Sequence, residues 1–274
     1  MIREINGKKD FSKETKIFYY STTGNSLALA RDISAGLGGA ELIPIAKVLN
    51  KHVDINAARL GVIFPVHRWG LPGIVAEFLK DLKPERQQYI FAVATCGATP
   101  GPALLELGSI LRKAGAELNA GFVTIAGGNE VAELPGLVKF VNSTSHKEYR
   151  SGKERLPEML EIIKAKKEYG PDTSSFATNK LGGLMHRLAS SAADSIKTSD
   201  RDFSVDDRCT LCRTCERICP RANIKIVDNK PVWNHGCELC NACIQWCPHQ
   251  AIHFRNETCR YRNPEVKAED LILR

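Results

Sequence analysis

Eight of the chain's ten cysteines fall within the 39 residues from Cys209 to Cys247, and their spacing constrains this chain more than any other feature of it. The first run is Cys209-Thr-Leu-Cys212-Arg-Thr-Cys215-Glu-Arg-Ile-Cys219-Pro220. The second is Cys237-Glu-Leu-Cys240-Asn-Ala-Cys243-Ile-Gln-Trp-Cys247-Pro248. Both have the form C-x2-C-x2-C-x3-C-P. Three thiolates at successive gaps of two residues can wrap one cuboidal iron–sulfur cluster while backbone amides point at its sulfurs. Zinc also takes C-x2-C pairs, but ribbons and fingers need two pairs per ion, separated by a longer loop. The triple spacing, the Cys-Pro step and the duplication fit zinc poorly. Disulfide frameworks belong to small secreted domains, and no charged-then-apolar signal pattern follows Met1, so the expected compartment is the cytoplasm.

Over about residues 203–254 the two runs resemble the bacterial-type two-[4Fe–4S] ferredoxins. The resemblance implies that the fourth cysteine of each run serves the other cluster. Cys209, Cys212, Cys215 and Cys247 would then hold one cluster, and Cys237, Cys240, Cys243 and Cys219 the other. It also implies two pseudo-symmetric halves, each with a hairpin and a short helix after its cysteine run. Residues 222–227, the turn Asp228-Asn229-Lys230, residues 231–233 and residues 251–254 match those hairpins. So small a module has little core of its own and is held together by its clusters, and its implied task is one-electron transfer.

Upstream, strand-like apolar runs at 16–20, 41–44, 60–64, 89–95 and 119–125 alternate with helical stretches near 26–37, 72–82 and 102–114. Asn25 or Ser26 is the expected cap of the first helix, with Gly36 or Gly38 at its end, and a further amphipathic helix is expected at about 152–167. This alternation predicts an α/β fold, an open doubly wound parallel sheet, whose ligands bind at the carboxyl ends of the strands.

Those strand ends carry the informative residues. Ser21-Thr22-Thr23-Gly24-Asn25-Ser26 follows the first strand and opens the first helix. Hydroxyls and backbone amides at a helix N-terminus suit a phosphate dianion, although a Ser/Thr-rich helix cap would look similar. The hexapeptide is neither a Walker loop nor G-x-G-x-x-G. It resembles the phosphate loop of flavodoxins, which bind FMN. In that family the loops after the third and fourth strands hold the isoalloxazine ring. Here they are Pro65-Val66-His67-Arg68-Trp69-Gly70 and Thr95-Cys96-Gly97-Ala98-Thr99-Pro100-Gly101. Trp69 reads as a stacking partner or as a core tryptophan. His67 and Arg68 could bond the ring edge or stand as solvated loop residues, and Gly97 and Gly101 would permit close backbone approach. Cys96 reads as a small residue beside the ring or as a redox thiol. No acidic aromatic loop, such as often covers the flavin in short flavodoxins, is evident near Thr95.

Taken together, the chain resembles the flavodoxin–ferredoxin fusion family. The expected organisation is a flavodoxin-like FMN domain at 1–169, a partly helical linker at 170–201, a small α+β ferredoxin-like domain at 202–258 and a tail at 259–274. A helix at 179–199, with Leu181, Leu184, Met185, Leu188 and Ala192 on one face, is expected to pack against a domain. Cys259 reads as a plain free thiol. The formal charge of +7 suggests a polyanionic partner. Eight ligand thiolates and two cluster cores would reduce it to about +3, which removes the case for nucleic acid. No apolar run approaches the roughly 20 residues needed to cross a bilayer.

The expected function is electron transfer between two [4Fe–4S] clusters and FMN, with a redox partner protein as donor or acceptor. Two alternatives stand beside it. One is a ferredoxin-fed reductase of a small organic substrate, with His67 as proton donor. The other is a ferredoxin attached to a flavin-free docking domain.

Overall fold

The computed structural model describes residues 15–68, 70–97, 100–127, 150–172, 199–255 and 260–273. The expected helix at 179–199, Trp69, Ala98, Thr99 and Cys259 lie, wholly or almost wholly, outside these residues.

Five parallel strands form the main sheet: β1 (Thr15–Tyr19), β2 (Glu41–Pro44), β3 (Arg59–Pro65), β4 (Tyr89–Cys96) and β5 (Ala120–Ile125). Their order is β2-β1-β3-β4-β5, the flavodoxin-like order, whose switch point lies between β1 and β3. A parallel strand covered on both faces must be apolar throughout rather than alternating. β1 and β4 are buried along their whole length, whereas β2 is the half-exposed edge. The helices are α1 (Asn25–Gly36), α2 (Ile45–Val48), α3 (Gly73–Asp81), α4 (Ala103–Lys113) and α5 (Gly152–Lys164). α1 packs against α5, and α3 against α4.

The expected cap of α1 is corrected. Gly24 occupies the N-cap at φ 100°, with no side-chain capping bond, which leaves the Asn25 and Ser26 side chains for other partners. At its other end α1 stops at Gly36, and Gly38 turns the chain at φ 82°. After α5 the chain stays on the sheet past residue 169. The Asp172 amide donates to the Gly121 carbonyl at 2.9 Å, and the buried Arg155 guanidinium pairs with the Asp172 carboxylate.

The cysteine-bearing part contains β6 (Phe203–Val205), α6 (Thr214–Ile218), β7 (Ile224–Val227), β8 (Lys230–Trp233), α7 (Ala242–Gln245), β9 (Ile252–Phe254) and α8 (Ala268–Leu271). β7 and β8 form an antiparallel hairpin, while β9 pairs with β6. α6 and α7 lie within the cysteine runs, starting after the second cysteine of each, and not after the runs as expected. The backbone keeps the duplication. Leu211 and Leu239, Arg213 and Asn241, and Ala222 and Gln250 are equivalent positions, and all six take positive φ between 49° and 60°.

The two parts share a core. Ile218, Cys240, Ala242, Trp246, Val266 and Leu271 belong to the apolar cluster built on the main sheet. A second, smaller cluster joins Ile224, Ile244, Ala251, Ile252 and Phe254 to Cys215, Cys243 and Cys247.

Candidate functional site

Cys209, Cys212, Cys215 and Cys247 line one cavity, walled by Ile226 and Pro231 of the hairpin. Burial pushes the Cys215 thiol up to about 12, and the neighbouring charges of Cys212, Cys247 and Cys209 act in the same direction. The other four cysteines are likewise neighbours. Burial pushes Cys237 up to about 12 with Cys219 adding to the rise, and Cys243 is driven up by burial and then by Cys240, Cys219 and Cys237. Cys215 also acts on Cys243, so the two sets adjoin. Backbone amides donate to three of the sulfurs: Asn223 to Cys219 at 3.3 Å, Leu239 to Cys237 at 3.2 Å and Ala251 to Cys247 at 3.3 Å. Amides aimed at sulfur suit a thiolate-bound cluster. Among the described residues no three Cys, His or acidic side chains close around a single ion. The thiols of the first set ring a cavity instead.

Cys240 faces the strand-end loops of the sheet. Tyr20, one residue past β1, is 3% exposed, and its side chain neighbours the Cys240 thiol. Burial, reinforced by Cys240 and Glu238, raises its pKa well above the usual phenol value. The Tyr20 ring meets the His67 imidazole edge-on at 5.5 Å. Glu238 reaches the start of α3, where a Cβ on Gly73 would stand 2.9 Å from its Oε1. Arg221 ties this contact down by bonding both Glu238 and Glu77 of α3. The second cysteine run is therefore docked beside the loop that follows β3.

That loop is a tight turn. His67 and Gly70 exchange backbone hydrogen bonds at 3.1 and 2.9 Å, and Arg68 sits at φ 47° with its side chain at the surface. The Val66 amide donates to the Thr95 carbonyl at 2.8 Å, and Pro65 lies in register with Thr95, so the loops after β3 and β4 are joined. Cys96 is buried at the end of β4, Gly97 is half-buried, and Gly101 takes φ 52° ahead of α4. The His67 Nδ1 atom is buried without a partner among the described residues. Burial pushes the imidazole down to about 4, so it is uncharged near neutral pH. A neutral imidazole is a weak acid, which weighs against His67 as proton donor.

The loop 21–26 has two sides. On one, the amides of Thr22 to Ser26 donate to no acceptor among the described residues, and the Ser26 and Thr95 hydroxyls are 2.9 Å apart. Where the C-terminal segment meets Asn25, a cavity of about 320 Å³ opens, walled by Thr95, Thr124, Asp32 and Lys153 and, from that segment, by Tyr261, Asn263 and Glu265. Unpartnered amides at the N-terminus of α1 fit a phosphate group. On the other side, the loop's carbonyls are taken. Trp246 Nε1 donates to Thr22 O at 2.6 Å, and the Asn263 amide donates to Thr23 O at 2.8 Å. The Asn25 side chain turns to the C-terminal segment: its Oδ1 accepts from Tyr261 Oη at 2.9 Å and Asn263 Nδ2 at 3.0 Å. Its Nδ2 donates to Gly127 O at 3.0 Å.

Trp246, Tyr261, Asn263 and Tyr20 are absent from the residues the sequence nominated. The first three lie more than 220 positions from the loop they contact, so no local spacing signals the contact.

No protein-family model matches the chain, and no curated protein does. Among solved structures, a flavodoxin of Streptococcus pneumonia TIGR4 is 20% identical, with a TM-score of 0.39, the match covering 56% of this chain and 98% of that one. The two-electron reduced flavodoxin of Megasphaera elsdenii is 19% identical with a TM-score of 0.36, over 43% of this chain and 90% of that one.

Proposed function

We propose that this protein is an iron–sulfur flavoprotein that passes electrons between two [4Fe–4S] clusters and FMN. Cys209, Cys212, Cys215 and Cys247 would hold one cluster, and Cys237, Cys240, Cys243 and Cys219 the other. Thr22 to Ser26 would take the FMN phosphate, and the loops after β3 and β4 would take the ring. Such clusters exchange single electrons and a flavin one or two, so together they connect one-electron and two-electron chemistry.

The observation that carries the reading is the burial of Cys240 in the core of the parallel sheet, beside Tyr20 and the His67 loop. A flavin-free docking module would have no need to present its strand-end loops to a cluster ligand. The chain's own residues would exclude water around Cys240 and Cys243, aim backbone amides at the sulfurs, and keep His67 uncharged beside the ring. Electrons would come from, or leave to, a redox partner protein.

Iron and flavin content of protein purified without oxygen tests the reading. The expected result is about eight irons and one FMN per chain. Eight irons with no flavin, even after FMN is added, would overturn the flavin half and leave a ferredoxin on a docking scaffold.

A further inference from the structure

The loop 21–26 lies beneath a roof made by the other end of the chain. Resting on the reading of this loop as the phosphate site, we propose that Trp246, Tyr261 and Asn263 are positioning residues for the FMN phosphate. Through them, cluster loading sets the affinity for FMN.

In a trans peptide the C=O and the following N–H point in opposite directions. No cis peptide is present among the described residues. Trp246 Nε1 holds the Thr22 carbonyl at 2.6 Å on the roof side, which turns the Thr23 N–H away from the roof. The Asn263 amide does the same to the next peptide, holding Thr23 O at 2.8 Å and turning the Gly24 N–H inward. Tyr261 and Asn263 fix Asn25 at the first residue of α1. Thr22, Thr23 and Asn25 are thus braced from outside, and the Thr23 and Gly24 amides are turned to the other side.

The braces are anchored on the second cysteine run. Trp246 stands between Cys243 and Cys247, and the Arg262 guanidinium lies over its ring at 5.5 Å. Arg262 also donates to the carbonyls of Gln245 and Cys247. The Tyr261 amide donates to Gln245 Oε1 at 2.6 Å, and Arg260 to Ile252 O at 2.7 Å. α7 has only four residues, too few to hold itself in place by its own backbone hydrogen bonds. One cluster bound through Cys243 and the other through Cys247 would together fix the chain on both sides of Trp246. Removing the clusters therefore releases Trp246 and the segment from Arg260 to Asn263, and with them the orientation of the loop. Linkage makes the coupling mutual, so bound FMN must also favour cluster retention.

The test compares the affinities of the flavin-stripped full chain for FMN and for riboflavin, which lacks the phosphate. Quenching of flavin fluorescence without oxygen reads both, and iron is assayed on every sample. Tyr261→Phe removes one hydrogen bond to Asn25 and leaves the Tyr261 backbone bond to Gln245 and every cysteine ligand in place. It should weaken FMN roughly tenfold and leave riboflavin and iron unchanged. Trp246→Phe and the iron-stripped wild type should show the same selective loss. FMN affinity unchanged in Tyr261→Phe and in the iron-stripped chain would overturn the proposal. Equal losses for both flavins would overturn it as well, because they would report general loosening instead of phosphate positioning. A wild-type chain that binds neither flavin would instead remove the flavoprotein reading on which the proposal stands.

Discussion

Gly24 holds φ at 100°, and a Cβ placed on it would stand 2.9 Å from Val266 Cβ and 3.0 Å from Asn263 Cβ. Both neighbours are Cβ atoms fixed to backbone, with no flexible end to swing away. Gly24→Ala therefore combines left-handed strain with a clash and should lower stability by about 1–3 kcal/mol, read as a shift in urea midpoint. An unchanged midpoint would show that the C-terminal segment does not lie on the loop. His67 gives a pH signature at the same scale. Its folded pKa of about 4 lies below the ordinary imidazole value, so the unfolded chain binds the extra proton first as pH falls. Its contribution is complete above about pH 6.5 and is lost between there and about pH 4, on the order of 2 kcal/mol for this partly exposed side chain. His67→Gln should flatten that part of the stability profile, and parallel profiles for variant and wild type would refute the assignment. That residues 21–26 form the loop opening α1 was legible from the hexapeptide itself, because a strand-to-helix loop is a local pattern. The need for Gly against Val266 was not, since it arises from a contact between opposite ends of the chain.

Strands and the longer helices of the sheet were legible to within a residue or two at most ends, whereas the four-residue α2 was not foreseen. Parallel strands buried on both faces leave unbroken apolar runs, and β4 spells one from Tyr89 to Cys96. The ferredoxin-like elements were harder to read, because three- and four-residue strands and helices carry no period. Their geometry comes from left-handed residues such as Arg213 and Asn241 that no hydrophobic pattern announces. The β7–β8 hairpin is the exception. Asp228 and Asn229 both take positive φ, the type I′ geometry that a two-residue hairpin prefers. Lys230 already belongs to β8, so the turn is one residue shorter than the expected three. Asn229→Gly removes the remaining left-handed cost and should stabilise the module by about 0.5–1 kcal/mol. Ile226 and Pro231 of this hairpin wall the Cys209 cavity, so the variant should also slow iron loss to a chelator. Iron loss at the wild-type rate despite a raised melting temperature would separate the hairpin from the cluster site.

Across the whole molecule, the formal charge of +7 counts every thiol as neutral. In the metal-free chain Cys215 and Cys237, each pushed up to about 12, hold their protons at neutral pH. Binding a cluster requires thiolates, so loading must expel protons, and the buried thiols make that expulsion strongly pH-dependent. Eight thiolates around two cores would bring the net charge to about +3, and an FMN phosphate would take it lower still. The loaded protein should therefore focus at a clearly lower isoelectric point than the same chain after its iron is stripped, whose sequence value is about 8.9. Raising the pH should strengthen iron retention against a chelator, because each thiol is then easier to ionise. Such a charge change would turn a chain with the formal look of a polyanion binder into one closer to neutrality, without altering a residue. Coincident isoelectric points with eight irons still bound would mean that the iron is held by groups other than these thiolates. The cysteine assignment would then fall while the parallel sheet stood.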